Sequence, residues 1–187
     1  MGNFYTNYTL KGPSQQEVAD FLKGRRAIVT PNEEDCVVVF DEQSDEQDQE
    51  QITELGTKLS AEFRCPVLAV LNHDDDIFWY QLYEKGKVTD EYDSSPSYFD
   101  SDAESITPPT GGDAQRLCAA FGGGDEEEVE SILRKEAGEG YTFAVERHAD
   151  LVGVLGIPDF GVGFSYEAFE AGECPEGINP KELIRTK

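Results

Sequence analysis

Cys36-Val37-Val38-Val39-Phe40 is a run of five apolar residues, bounded by Pro31-Asn32-Glu33-Glu34-Asp35 on one side and Asp41-Glu42 on the other. A stretch this short, apolar and rich in β-branched residues reads as a strand buried on both faces. Ala27-Ile28-Val29 precedes it as a second strand, with the Pro31–Asp35 segment as the turn between them. Further upstream, Ser14 and Glu17 have the spacing of a capping box. Val18, Phe21 and Leu22 then form one apolar helix face that Gly24 ends. Asn3 to Leu10, aromatic and threonine-rich, reads as the first strand, broken by Gly12-Pro13.

Downstream, Asp41 to Glu50 holds six acids in ten residues and is expected to be a loop or a solvated helix start. Ile52, Leu55, Leu59 and Phe63 recur at helical spacing, which predicts a helix over roughly 47–64. Pro66 then opens a strand, Val67 to Leu71. The element order is therefore β-α-β-β-α-β. It resembles the ferredoxin-like arrangement, an α+β fold in which two split βαβ units share one antiparallel sheet with both helices on one face. Ile77–Tyr83 and Val88–Tyr92 flank a tight turn at Lys85-Gly86 and are expected to form a hairpin that extends that sheet or packs beside it.

Three segments follow: an α+β unit over 1–93, a linker over 94–112 rich in Ser, Pro and Gly, and a helical region over 113–187 packed on the first unit. In the last, Asp113 caps a helix carrying Leu117, Ala120 and Phe121, and Gly122-Gly123-Gly124 stops it. Asp125 caps a second helix carrying Val129, Ile132 and Leu133. Thr142–Leu155 and Ser165–Ala171 complete the set. No period of 20–50 residues repeats.

The charge is unusual. Thirty-nine acids face 15 bases, a net of −24, and it is spread evenly: residues 1–93 and 94–187 each carry −12. Such a field repels nucleic acid and anionic lipid and speeds encounter with a basic protein. No apolar stretch is long enough to cross a membrane, and the first residues lack the pattern of an export signal. Met1-Gly2 with Thr6 formally meets a myristoylation pattern, a match too short to carry weight. Cys36, Cys65, Cys118 and Cys174 lie far apart with no C-x-x-C pair. Reduced thiols in the cytoplasm are therefore the expectation.

Candidate chemistry is sparse. Asn72-His73-Asp74-Asp75-Asp76 is the densest group of ligand-type residues, and His73, Asp74 and Asp76 are the candidates for a divalent cation. Neighbours on an extended chain point to opposite faces, however, so a polar turn is the favoured reading. The acids from Asp41 to Glu50 resemble a calcium loop but lack Gly and Glu at its sixth and twelfth positions. The glycines at 122–124 precede Asp125-Glu126-Glu127-Glu128, which would repel phosphate. Leu151–Pro175 faintly resembles a helix-turn-helix, but its second helix has no Lys or Arg. His148 falls on or beside an apolar helix face, with no nucleophile motif nearby.

Aromatics crowd the hairpin: Phe78, Trp79, Tyr80, Tyr83, Tyr92, Tyr98 and Phe99. One set is expected to face the core. The other is covered by the later helices or forms a recognition surface, with Trp79, Tyr83 and Tyr92 as its contact residues. No cofactor is expected. The functional expectation is a non-enzymatic cytoplasmic binding or regulatory protein. The alternatives are an acidic inhibitor of a basic protein or peptide, of immunity-protein or nucleic-acid-mimic type, and a divalent-metal hydrolase.

Overall fold

The computed structural model describes residues 2–100, 107–136 and 139–187. The strands are β1 (Tyr5–Lys11), β2 (Ala27–Val29), β3 (Cys36–Asp41), β4 (Val67–His73), β5 (Ile77–Glu84), β6 (Lys87–Asp93), β7 (Thr110–Gly111) and β8 (Ile184–Arg185). The helices are α1 (Gln15–Phe21), α2 (Gln49–Phe63), α3 (Ala114–Phe121), α4 (Glu126–Arg134), α5 (Ala144–Leu155) and α6 (Tyr166–Glu170). All eight strands join one antiparallel sheet in the order β7-β6-β5-β4-β1-β3-β2-β8.

The apolar run that opened the sequence reading is β3, and its residues divide between the two faces. Val37 and Val39 join Tyr8, Leu10, Val67 and Ala69 beneath α1 and α2. Val38 and Phe40 pack on the other face against Phe160, Tyr166 and Phe169. Both faces are dry, which is why the strand shows no polar alternation. α2 forms where its periodicity places it, with Ile52, Leu55 and Leu59 buried. The capping box at α1 is realised: the Ser14 side chain accepts from Glu17 N, and Glu17 Oε2 accepts from Ser14 N. Lys85 and Gly86, with φ of 52° and 75°, make the two-residue turn between β5 and β6.

α3, α4 and α5 cover the opposite face over β4 and β5. There Leu117, Phe121, Val129, Leu133, Leu151 and Leu155 meet Leu68, Val70, Phe78, Tyr80 and Leu82. β5 is thus buried on both sides, with Trp79 and Tyr83 under α2 and Phe78 and Tyr80 under α5.

The sheet is larger than the sequence reading expected. Thr110 and Gly111, assigned there to the linker, pair with β6, while residues 101–106 of that segment lie outside those described. Ile184 and Arg185, assigned to the helical region, pair with β2 and close the other edge. Both edge strands are two residues long and offer little ladder for another chain to extend.

The acidic stretch ends as the exposed start of α2, with Asp48 as its N-cap and Glu50 in its first turn, but its first residue, at the end of β3, is not solvated. Asp41 is fully buried, accepts from Arg25 Nε and Nη2, and caps a 3₁₀ turn over Glu42–Glu46 by accepting from Ser44 N. Among the described residues no helix is long and apolar enough to cross a membrane.

Candidate functional site

The 73–76 segment is the turn between β4 and β5, with Asp74 and Asp75 in left-handed conformation at φ 52° and 59°. Aspartate tolerates this region better than most residues because its short side chain bonds locally. Each carboxylate is held by a different partner. Asp74 Oδ1 accepts from Gly2 N at 2.7 Å. Asp75 Oδ2 accepts from Asn3 N and Nδ2, both at 3.0 Å, and Asp75 Oδ1 accepts from Asn72 Nδ2 at 3.2 Å. Asp76 Oδ2 accepts from the Tyr98 hydroxyl at 3.0 Å. His73 Nδ1 lies 2.7 Å from Gln47 Oε1. His73, Asp74 and Asp76 therefore do not converge. No three His, Cys, Asp or Glu side chains among the described residues are grouped to hold a metal ion.

What the turn does gather is aromatic surface. The His73 ring is met edge-on by Phe4 at 4.9 Å, Phe99 at 5.1 Å and Tyr98 at 6.0 Å, and Tyr98 and Phe99 meet each other at 5.0 Å. Ala144 N donates to Asp75 O at 2.6 Å, which brings Phe143 beside the same turn. Phe4, Tyr98, Phe99 and Phe143 are 49%, 41%, 72% and 53% exposed. They are four of the five large exposed apolar side chains among the described residues, Val88 being the fifth, so exposed apolar area is concentrated here. The Tyr98 hydroxyl is held above its ordinary pKa by its bond to Asp76, with the charges of Asp76 and Asp74 adding to the effect. Burial raises Asp93 nearby.

Trp79, Tyr83 and Tyr92 are not part of this surface. They are 3%, 0% and 0% exposed. Tyr83 packs against α2 where Gly56 leaves room for its ring, and Tyr92 donates to Leu133 O at 2.9 Å. Helices on both faces of the hairpin enclose these rings, so they offer no area to a partner. Tyr98 and Phe99 appeared in the sequence reading only as members of the aromatic crowd, and Phe4 only as part of a strand. The available signal was Ser97-Tyr98-Phe99-Asp100, two adjacent aromatics inside a polar segment with no core-forming period.

Beneath the turn lies a sealed polar chain. Asn72 Nδ2 donates to the Tyr5 hydroxyl at 3.3 Å, and that hydroxyl lies 2.9 Å from His148 Nδ1. The His148 ring lies near-parallel to the rings of Tyr5, at 5.7 Å, and Phe78, at 5.2 Å. Burial pushes His148 down to about 3 and raises Tyr5, so both are neutral near pH 7. A neutral imidazole walled in by rings holds the core together and has no route to a substrate.

Arg147 is likewise buried. It donates to Ile132 O and Lys135 O at the end of α4 and lies over the Tyr141 ring at 4.7 Å. The four thiols are free. Burial raises Cys36 and Cys65 to about 11, away from thiolate chemistry. Gly122, at φ 71°, ends α3, and Asp125 caps α4 by accepting from Glu128 N at 2.9 Å.

Comparison of the chain with models of protein families, with curated proteins and with solved structures gives no match.

Proposed function

We propose that this chain is a non-enzymatic binding protein whose partner is a basic protein. The observation that carries the reading is how the chain spends its cations. Lys23, Arg25, Arg26, Lys58, Arg116, Arg134 and Arg185 are paired with the chain's own carboxylates. Lys11 and Arg147 are turned to backbone carbonyls. The net charge of −24 remains after this pairing, so most of the acids have no cation of the chain to neutralise them. That field favours fast encounter with a cationic surface and disfavours nucleic acid and anionic membrane.

An acidic inhibitor of a basic enzyme is the form of this function that the charge suits best. A cytoplasmic location accords with it, since Cys36, Cys65 and Cys118 are buried free thiols. The scaffold reading is ferredoxin-like for the central strands, supported by the order β4-β1-β3-β2 with α1 and α2 sharing one apolar cluster.

Immobilised protein challenged with cell lysate at about 0.05 M salt tests the function. The captured proteins are expected to be basic and to elute steeply as salt rises to about 0.5 M. Retention of neutral or acidic proteins through the high-salt wash would overturn the reading.

A further inference from the structure

The following inference rests on the binding of a basic partner and gives that binding a place and a side-chain preference. We propose that Phe4, Tyr98 and Phe99, clustered on His73, form the surface on which an arginine-bearing segment of the partner docks. Buried aromatics serve the core, but these rings do not: each is at least two-fifths exposed. They are also fixed in place. The edge contacts to His73 lie between 4.9 and 6.0 Å, the Tyr98 hydroxyl is tied to Asp76, and His73 is tied to Gln47. A partner that meets a rigid aromatic surface gives up little side-chain freedom on the protein's side.

The rim selects the partner's charge. Asp74, Asp75 and Asp76 follow His73 in the same turn, Asp76 bonded to Tyr98, and Asp74 Oδ2 and Asp76 Oδ1 have no donor among the described residues. Among the described residues no cation lies over these rings: Arg26 lies over Tyr166, Arg147 over Tyr92 and Tyr141, and Lys135 over Tyr141. Aromatic faces beside open carboxylate oxygens fit a guanidinium better than an ammonium. The guanidinium stacks flat on a ring and offers its planar fork to a carboxylate, whereas an ammonium is a compact and strongly hydrated charge.

The test uses fluorescein-labelled octa-arginine and octa-lysine, read by fluorescence anisotropy at about 0.15 M salt. The wild-type chain is expected to bind octa-arginine about five- to tenfold more tightly than octa-lysine. The double variant Phe4→Ala with Phe99→Ala removes exposed rings only and should keep its circular dichroism spectrum. It should lose the preference and bind both peptides at the octa-lysine level. A control, Glu126→Gln with Glu127→Gln on α4, should weaken both peptides equally and keep the preference.

Equal wild-type affinities, or a preference that survives in the aromatic variant, would overturn the docking surface while leaving the basic-partner reading intact. No binding of either peptide to the wild-type chain would overturn that reading itself. A wild-type dimer that becomes monomeric in the aromatic variant, measured by sedimentation, would show that a second copy covers the rings, and would also overturn the proposal.

Discussion

His148 Nδ1 lies 2.9 Å from the Tyr5 hydroxyl, and the imidazole is enclosed in the core with its plane near-parallel to the rings of Tyr5 and Phe78. The enclosure makes protonation costly. Burial holds His148 down to about 3, against about 6.5 in an unfolded chain. The unfolded state therefore binds a proton that the native state refuses between those values. The stabilisation is fully present above about pH 6.5 and is lost as pH falls toward 3, by about 1.4 kcal/mol per pH unit. Urea unfolding from pH 8 to pH 4 should show this acid slope in the wild-type chain and a shallower one in His148→Phe. Identical slopes would rule the assignment out.

Asp45 has the opposite sense. Its Oδ2 accepts from Glu167 N at 3.0 Å, its buried Oδ1 has no hydrogen-bond partner among the described residues, and burial raises its carboxyl to about 7. A folded pKa above the unfolded value gives a contribution fully present below about pH 4 and lost as pH rises through 7. Asp45→Asn removes the ionisation and keeps an oxygen acceptor. It should leave stability unchanged at pH 4 and raise it at pH 8 by about 1 kcal/mol, a figure discounted for partial exposure. A variant less stable than wild type at pH 8 would contradict the sign.

Much of the frame was legible because its signals are local. The two-sided burial of β3, the α2 periodicity, the Ser14–Glu17 box and the Lys85-Gly86 turn each reside within a few consecutive residues. β7 and β8 were not legible, since a two-residue strand has no alternation to read and takes its identity from a partner far along the chain. Asp41 looked like part of a solvated acidic run because nothing local says that Arg25, sixteen residues earlier, returns beside it. The aromatic cluster was hidden for the same reason. Phe4, His73 and Phe99 come from three distant segments, and only the antiparallel pairing of β1 with β4 brings the first two together.

Gly56 sits in α2 over the Tyr83 ring, and a Cβ there would lie 2.5 Å from two of the ring carbons. Helix propensity alone predicts that Gly56→Ala stabilises by about 1 kcal/mol. The clash outweighs it, since overpacking a fixed interface costs about 1–3 kcal/mol and Tyr83 is itself held by a hydrogen bond to Gln81. Gly56→Ala should therefore lower stability by about 1–2 kcal/mol in chemical denaturation. A stabilised variant would mean that α2 shifts freely on the sheet.

Asp41 binds Arg25 through both oxygens and also accepts from Ser44 N and Oγ. Asp41→Ala leaves a partly buried guanidinium and two Ser44 groups without this acceptor. Removing one partner of a buried pair costs about 3–5 kcal/mol. The Arg25 side chain keeps 28% exposure and regains some hydration, so the expected loss is about 2–3 kcal/mol. The double variant Asp41→Ala with Arg25→Met should recover part of it, because no orphaned charge remains. A double variant as unstable as the single one would place the cost in the 3₁₀ turn instead.

The β4–β5 turn is not expected to bind a divalent ion at a specific site. Three adjacent aspartates invite a cation, but Asp74, Asp75 and Asp76 are oriented toward Gly2, Asn3 and Tyr98 respectively, and an ion needs them aimed at one point. Adding Mg²⁺, Ca²⁺ or Zn²⁺ is therefore expected to raise the melting temperature only through screening of a chain of net charge −24. Screening depends on ionic strength, so sodium chloride at matched ionic strength should give the same rise. Asp74→Asn with Asp76→Asn should leave the divalent and sodium curves superimposed. The informative contrary result is a shift that saturates with one divalent ion and disappears in the double variant. It would mean that the turn reorganises around that ion, releasing Gly2 and Tyr98 to free the two carboxylates. The metal-dependent reading of His73, Asp74 and Asp76 would then displace the docking one.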